Sequence, residues 1–399
     1  MYVERAIKER FLKASRLNNV VFIVGPRQSG KTTFLREQGQ GLASYVLFDD
    51  PDARELFDKD VKAFENQYLQ NGKPTILDEI QYAKEAGSKL KYLADTGRKL
   101  WITSSSQTML GKEVIGWLVG RASILTLYQF SFEEFLAAKN QRETTETIIL
   151  RLVDEHMRYG GYPKIVLEAE KDNKEMLLKD LYQTMVFRDV ARMFNIEDLG
   201  AVERLAVYLS HRVGDMLVYN KICSDLSLSF QSVKKYIDAM EKSYIIKRVS
   251  PFYKNKLNEI IKQPKLYFID TGLRNAIAND FALRIESRGK LFENYVFSEL
   301  IKAGIELNFW QSKSGAEVDF VAKVGSEIIP VEVKLKENDL RVERSMQSFI
   351  DEYAPSRGFI VFREGKIGEI EKHGCKIKFV HLPKLLAELR YKSGKRNKK

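Results

Sequence analysis

The sequence predicts an α/β protein of two or three domains, opening on a parallel sheet covered by helices on both faces. Three observations predict it. The chain has 399 residues, more than one ordinary core accommodates. Short β-branched runs alternate with helical stretches over the first 130 residues. The first such run, Val20-Val-Phe-Ile-Val, ends at a glycine that begins G-x-x-x-x-G-K-T, the loop that joins a buried strand to a helix around a phosphate.

Residues 2–16 have the spacing of an amphipathic helix, followed by the strand at Val20. The loop comprises Gly25, Pro26, Arg27, Gln28, Ser29, Gly30, Lys31, Thr32 and Thr33. Gly25 and Gly30 reach backbone angles closed to other residues, so successive N–H groups can point at one anion. A helix starting near Lys31 adds the positive end of its dipole. Lys31 supplies a mobile charge for the β/γ-phosphates, and Thr32 a hydroxyl ligand for Mg²⁺. Strands are expected at Tyr45–Phe48, Pro74–Ile80, Lys99–Thr103 and Ala122–Leu127, with a helix over 53–70. In such sheets ligands collect beyond the carboxyl ends of the strands. Asp78 and Glu79 close the third strand there, Asp78 as a Mg²⁺ partner and Glu79 as general base toward water. Ser104 or Ser105 after the fourth strand is a candidate sensor of the γ-phosphate, and Arg121 a candidate for charge neutralisation, in cis or across a subunit boundary. The N-K-x-D segment associated with GTP is missing, which favours ATP.

Composition narrows the partners. An excess of 11 positive charges favours polyanions, and residues 391–399 form a basic tail. Cys223 and Cys375 are far apart and lack metal-site spacing, as expected in a reducing cytoplasm. There is no signal-peptide core at the N-terminus and no apolar run of membrane-spanning length, so a cytoplasmic protein with no membrane partner is expected.

Ser131-x-x-Glu134 is a capping box that starts a helix, and 150–200 reads as helical. Over 200–268, helices at Leu205–Arg212, Asn220–Leu226 and Gln231–Lys242 precede strands at Tyr244–Val249 and Lys265–Ile269. That is the outline of a winged helix-turn-helix, with Ser229, Gln231, Ser232, Lys234 and Lys235 at the start of the recognition helix and a basic loop at 253–256. A protein-docking module has the same outline. Residues 317–335 read as a hairpin turning at Gly325-Ser326. Its register sets Asp319 across from Glu332 and Glu317 across from Lys334. Strict alternation gives these four one face, and Val318, Phe320, Val331 and Val333 the other. Opposed carboxylates repel unless a divalent cation lies between them.

Several motifs together resemble a widespread prokaryotic family. They are the loop at 25–32, Leu77-Asp78-Glu79-Ile80-Gln81, Ile102-Thr-Ser-Ser-Ser106, Leu118-Val-Gly-Arg121, Tyr128–Phe135, Gly160-Gly161-Tyr162-Pro163, Tyr267–Gly272, Phe292-Glu293-Asn294 and Gly315–Phe320. That family has an AAA-type P-loop ATPase domain ahead of a carboxyl-terminal domain of historically unknown function. Asp319 with Glu332-Val-Lys334 further resembles the PD-(D/E)xK nuclease core, although no proline precedes Asp319. The resemblance implies Asp319 and Glu332 as Mg²⁺ ligands, Lys334 as the residue orienting water, and Glu293 as an additional acid. The expected fold is therefore a P-loop NTPase sheet, then a winged-helix module, then a restriction-endonuclease-like α/β domain. The expected boundaries are 1–150, 151–270 and 271–390. The expected function is Mg²⁺-dependent ATP hydrolysis coupled to nucleic-acid binding or processing, DNA before RNA, with a homo-oligomer implied by AAA-type relatives. The alternative is a nucleotide-controlled protein-interaction switch carrying a catalytically silent nuclease-like domain.

Overall fold

A computed structural model describes residues 2–69, 72–105, 116, 118, 120–141, 145–185, 190, 194–253, 257, 259, 262–283 and 285–394, with 285–287 and 390–394 as backbone only. The chain forms two compact units: Met1–Phe130 with Tyr162–Lys164 and Lys242–Tyr244, and the remainder.

In the first unit, α1 (Lys8–Leu17) precedes β1 (Val20–Val24), and α2 (Lys31–Gln38) follows the loop. Then come β2 (Ser44–Leu47), α3 (Pro51–Lys59), α4 (Val61–Tyr68), β3 (Thr75–Asp78), α5 (Ala86–Asp95), β4 (Leu100–Ser104) and β5 (Ala122–Thr126). The sheet is parallel throughout, in the order β2-β3-β4-β1-β5. All five residues of β1 are buried, as a central parallel strand covered on both faces requires. One face packs Val21, Ile23 and Leu125 with Phe11 and Phe34. The aromatic rings of Phe48, Phe57 and Phe64 meet at centroid distances of 5.0–5.9 Å.

Two helix expectations need correction. The first helix begins at Lys8, leaving residues 2–5 non-helical. The helix expected over 53–70 is two helices, because Asp60 ends one and caps the next: its carboxylate accepts the N–H groups of Lys62 and Ala63.

In the second unit, α6 (Phe132–Ala138) begins at the expected capping box, formed by Ser131 and Glu134. The helices α7 (Glu146–Tyr159), α8 (Pro163–Leu167, whose first two residues belong to the first unit) and α9 (Lys171–Gln183) follow. Next, α10 (Leu199–Ser210), α11 (Tyr219–Leu226) and α12 (Phe230–Lys242) precede an antiparallel pair, β6 (Ile246–Val249) and β7 (Lys265–Phe268). Of the expected basic loop, 254–256 lie outside the described residues, as do 395–399 of the basic tail. The final stretch contains α13 (Thr271–Ala278), α14 (Ile285–Lys302), β8 (Glu306–Gln311), β9 (Glu317–Val324), β10 (Glu327–Glu337), α15 (Arg344–Tyr353), β11 (Arg357–Gly365), β12 (Gly368–Lys372), β13 (Cys375–Val380) and α16 (Leu382–Gly394). Its sheet runs β12-β13-β11-β10-β9-β8, with β10 and β11 parallel across the α15 crossover. Among the described residues no helix is long and apolar enough to cross a membrane.

The Gly160-Gly161 and Asp270-Thr-Gly272 motifs meet in this unit. The Asp270 carboxylate caps α13 through the Leu273 N–H (2.9 Å) and accepts the Gly161 N–H at 2.8 Å. A Cβ on Gly272 would lie 2.2 Å from the Tyr159 carbonyl carbon and oxygen, a collision of backbone with backbone. Gly272→Ala is therefore expected to lower the thermal unfolding midpoint by several degrees, a cost of about 2 kcal/mol or more for a forced backbone shift. Differential scanning calorimetry checks it.

Candidate nucleotide and carboxylate sites

Gly25 has φ 149° and passes so close to β5 that a Cβ there would sit 2.1 Å from the Leu127 carbonyl oxygen. Gly30 has φ 93° and caps α2 without a side chain, so the first N–H groups of the helix face the loop. Lys31 is buried within the loop, its Nζ donating to the carbonyls of Gly25 (3.1 Å) and Pro26 (2.8 Å). These carbonyls hold the ammonium where a phosphate would receive it.

Asp78 is 3% exposed and accepts from three hydroxyls: Thr32 Oγ1 at 2.9 Å, Tyr45 at 2.7 Å and Thr103 at 2.5 Å. The carboxylate and the Thr32 hydroxyl are both hard oxygen ligands at the carboxyl edge of the sheet, so the donor set fits Mg²⁺. Burial, then the contact with Asp78, pushes the Tyr45 hydroxyl up to about 12, keeping it a neutral donor. Glu79 has a left-handed backbone (φ 59°, ψ 43°), and its N–H donates to Thr103 Oγ1 at 2.9 Å. Its carboxylate accepts from Gln81 Nε2 and, at 3.3 Å, from Ser105 Oγ. Ser105 thus lies against Glu79 rather than in the loop.

Arg121 is corrected. It sits one residue before β5, its carbonyl accepting from Val20 N–H at the amino end of β1, and its side chain pairs with Asp95 at 2.7 Å. The phosphate loop leaves the opposite end of β1, about 16 Å of strand away. Within one chain Arg121 does not reach the loop.

The sequence reading missed Arg5, Tyr45, Thr103 and Gln81. Arg5 is buried, donating to the Ser29 carbonyl (2.8 Å) and the Tyr128 carbonyl (2.6 Å), with its guanidinium 4.8 Å from the Phe130 ring centroid. It ties the phosphate loop to the chain leaving β5. A lone arginine before an amphipathic helix carries no sequence signal, and Thr103 stands beside Asp78 only through a strand order that the sequence does not spell out.

At the carboxyl-terminal acids, the hairpin register holds from Val324–Glu327 to Phe320–Val331. Beyond it the regular pairing ends, although the Glu332 charge still acts on Asp319. On β8, Asn308 and Trp310 pair with Val321 and Val318, so β9 spends one extra residue between them. Val318 consequently joins the core of Trp310, Met346 and Phe362, whereas Phe320 packs against Tyr267 and Phe297. Asp319 lies in this bulge and accepts the Val333 N–H at 2.8 Å. Glu317 pairs with Lys265, not with Lys334. Lys334 lies between Glu332 (3.0 Å) and Glu343 (2.8 Å). Burial opposes its charge, yet both acids hold its pKa above the usual value. Glu293 accepts from the Tyr267 hydroxyl at 2.6 Å and pairs with Lys290 at 3.3 Å. Burial, then Glu332 and Glu293, drives the Asp319 carboxyl well above its ordinary value. The Glu332 Oε2 is buried without a hydrogen-bond partner, an orphan a cation would satisfy. Among the described residues, however, no three His, Cys, Asp or Glu side chains are gathered closely enough to enclose a metal ion, so Glu293, Asp319 and Glu332 do not form one ligand set.

Residues 17–136 match the family model of an AAA domain, which identifies the sheet and its loop as an AAA-type P-loop domain. Residues 150–284 and 288–385 each match a domain of unknown function, DUF8612 and DUF4143. An uncharacterized protein of Haemophilus influenzae is 29% identical over 339 residues, 78% of this chain and 81% of that protein. Another, of Methanocaldococcus jannaschii, is 28% identical over 355 residues, 83% of this chain and 78% of that one. A Walker-type ATPase of Pyrococcus abyssi superposes with a TM-score of 0.46 at 12% identity, covering 69% of this chain and 96% of its own.

Arg5→Ala is expected to weaken ATP binding about tenfold by releasing a buried, charge-assisted tie on the loop. Arg121→Ala is expected to leave binding unchanged. Titration calorimetry in magnesium buffer reads both.

Proposed function

We propose that the chain binds ATP with Mg²⁺, hydrolyses it, and couples that cycle to nucleic acid through its carboxyl-terminal half. The observation that carries the first part is Lys31 folded onto the Gly25 and Pro26 carbonyls, beside a Thr32–Asp78 contact at the carboxyl edge of the sheet. On binding, Lys31 exchanges those carbonyls for β- and γ-phosphate oxygens, and the loop amides hold the same anion. Thr32 and Asp78 would hold Mg²⁺, which would supply neutralising charge beside the phosphates. Glu79 receives a proton from the attacking water, its carboxylate aimed by Gln81 and Ser105. The water oxygen bonds to the γ-phosphorus as the bond to the β–γ bridging oxygen breaks, leaving ADP and inorganic phosphate.

Two features support the nucleic-acid part. The hairpin carrying Asp319 and Glu332, β9 and β10, lies within a mixed sheet, with α14 before it and β11 parallel to β10 after α15. At the start of α12, Gln231, Lys234 and Lys235 are exposed. One observation favours the silent, protein-docking alternative: Asp319 is bonded to backbone and Glu293 is engaged by Tyr267 and Lys290.

Glu79→Gln is expected to cut the ATP turnover rate about 100-fold or more while ATP affinity persists, the mark of a lost general base. Phosphate release and calorimetry separate the two effects; unchanged turnover overturns the assignment. Asp319→Ala is expected to abolish Mg²⁺-dependent strand cleavage and spare ATP hydrolysis. Wild-type protein that cuts neither DNA nor RNA with Mg²⁺ or Mn²⁺ decides for the silent reading.

A further inference from the structure

A cleft of about 1010 Å³ opens in the second unit along β8. Its floor is Phe309 and Trp310, its sides carry the half-buried rings of Tyr253 and Tyr353, and Lys262 and Lys313 stand exposed at its rim. We propose that this cleft binds a single-stranded segment of nucleic acid, with bases against Tyr253 and Tyr353 and the phosphates met by Lys262 and Lys313. The inference rests on the nucleic-acid reading above and gives it a place and a strandedness.

Three features argue for this occupant. Aromatic faces beside cations form the sequence-tolerant platform on which unpaired bases stack, and paired bases keep their faces inside the helix. An extended peptide added to the edge of β8 is the competing occupant. That edge is already covered: Phe309 donates its N–H to the Ser250 carbonyl (3.3 Å) and accepts the Phe252 N–H (2.5 Å), and Pro251 forms a bridge with Phe309. The third feature is continuity with the acids. Met216 of the cleft bridges to Lys265, Lys265 pairs with Glu317, and Glu317 accepts from Gln311 of the cleft at 3.3 Å. Glu317 lies two residues before Asp319 on β9, so the cleft adjoins the strand that carries Asp319. Glu352 at the rim is the one acid among the cleft's described lining residues and leaves it a net positive charge.

The test is fluorescence anisotropy of a labelled oligothymidylate about 20 nucleotides long, with full-length protein and no divalent metal. The wild-type chain is expected to bind, and affinity to fall with rising salt. The double variant Lys262→Glu, Lys313→Glu is expected to bind about tenfold or more weakly, with the log–log salt slope reduced by about 1.4 for the two lost phosphate contacts. Tyr253→Ala is expected to weaken binding about fivefold or more with the slope kept, since stacking releases no counterions. Thermal unfolding at the wild-type temperature shows that each variant folds; if the double variant does not, Lys262→Gln with Lys313→Gln takes its place. Wild-type binding that all these variants retain overturns the cleft and leaves the nucleic-acid reading standing. A duplex of the same length bound as tightly through the same residues overturns strandedness. Absence of wild-type binding to both the single strand and the duplex at low salt overturns both readings, and binding of an acidic peptide alone assigns the cleft to protein.

Discussion

One buried carboxylate organises the amino-terminal unit. Asp78 ends β3 almost out of reach of water, where an unpartnered charge is costly, and three hydroxyls from three elements answer it. Thr32 reaches it from the helix after the phosphate loop, Tyr45 from β2, and Thr103 from β4. This convergence depends on strand order. Because β4 lies between β1 and β3, its last residues fill the gap between loop and carboxylate, and Thr103 also receives the N–H of Glu79. One threonine therefore fixes the heights of the acid that would hold Mg²⁺ and of the acid that would face water. Gly25 meets a parallel demand at the other flank, where the backbone of the loop passes against the Leu127 carbonyl.

Much of this was legible in the sequence, for identifiable reasons. The glycines and Lys31 announce the loop because no other common backbone path needs that spacing, and the five strands of the first sheet are short apolar runs bounded by turn residues. Their register and order were not legible, since each strand reads alike along its length. This is why Arg121, adjacent in sequence to a sheet element, was expected near the loop and lies at the far edge. The carboxyl-terminal hairpin was legible through its turn and as far as Phe320. There the extra residue in β9 ended the alternation, and a bulge opposite Phe309 leaves no mark in the residues themselves. Arg5 was illegible for another reason: its partners are backbone carbonyls, which every residue owns.

The second unit keeps its acids by a different device. Glu332, Glu317 and Glu293 each hold a lysine, Lys334, Lys265 and Lys290, and Glu293 also accepts from the Tyr267 hydroxyl. Asp319 accepts a backbone N–H and sits among like charges, so burial and repulsion together oppose its ionisation. The bulge that removed Asp319 from the regular ladder also freed it from a direct cross-strand partner. Such irregularities recur where a side chain must be re-aimed.

The Asp270 cap ties residues 109 positions apart, the Gly161 amide and the start of α13, with Tyr159 and Gly272 in backbone contact at the same point. A ribosome releases the chain in order, so Gly160 and Gly161 emerge long before the carboxylate that receives them. The parallel sheet ahead of them closes on contacts made within its own first 130 residues. The helices α7 and α9 pack on α13, so that packing waits until the second motif is synthesised. During that interval their apolar faces are exposed to the cell, and the delay between two short glycine motifs sets how long a chaperone would have to guard them.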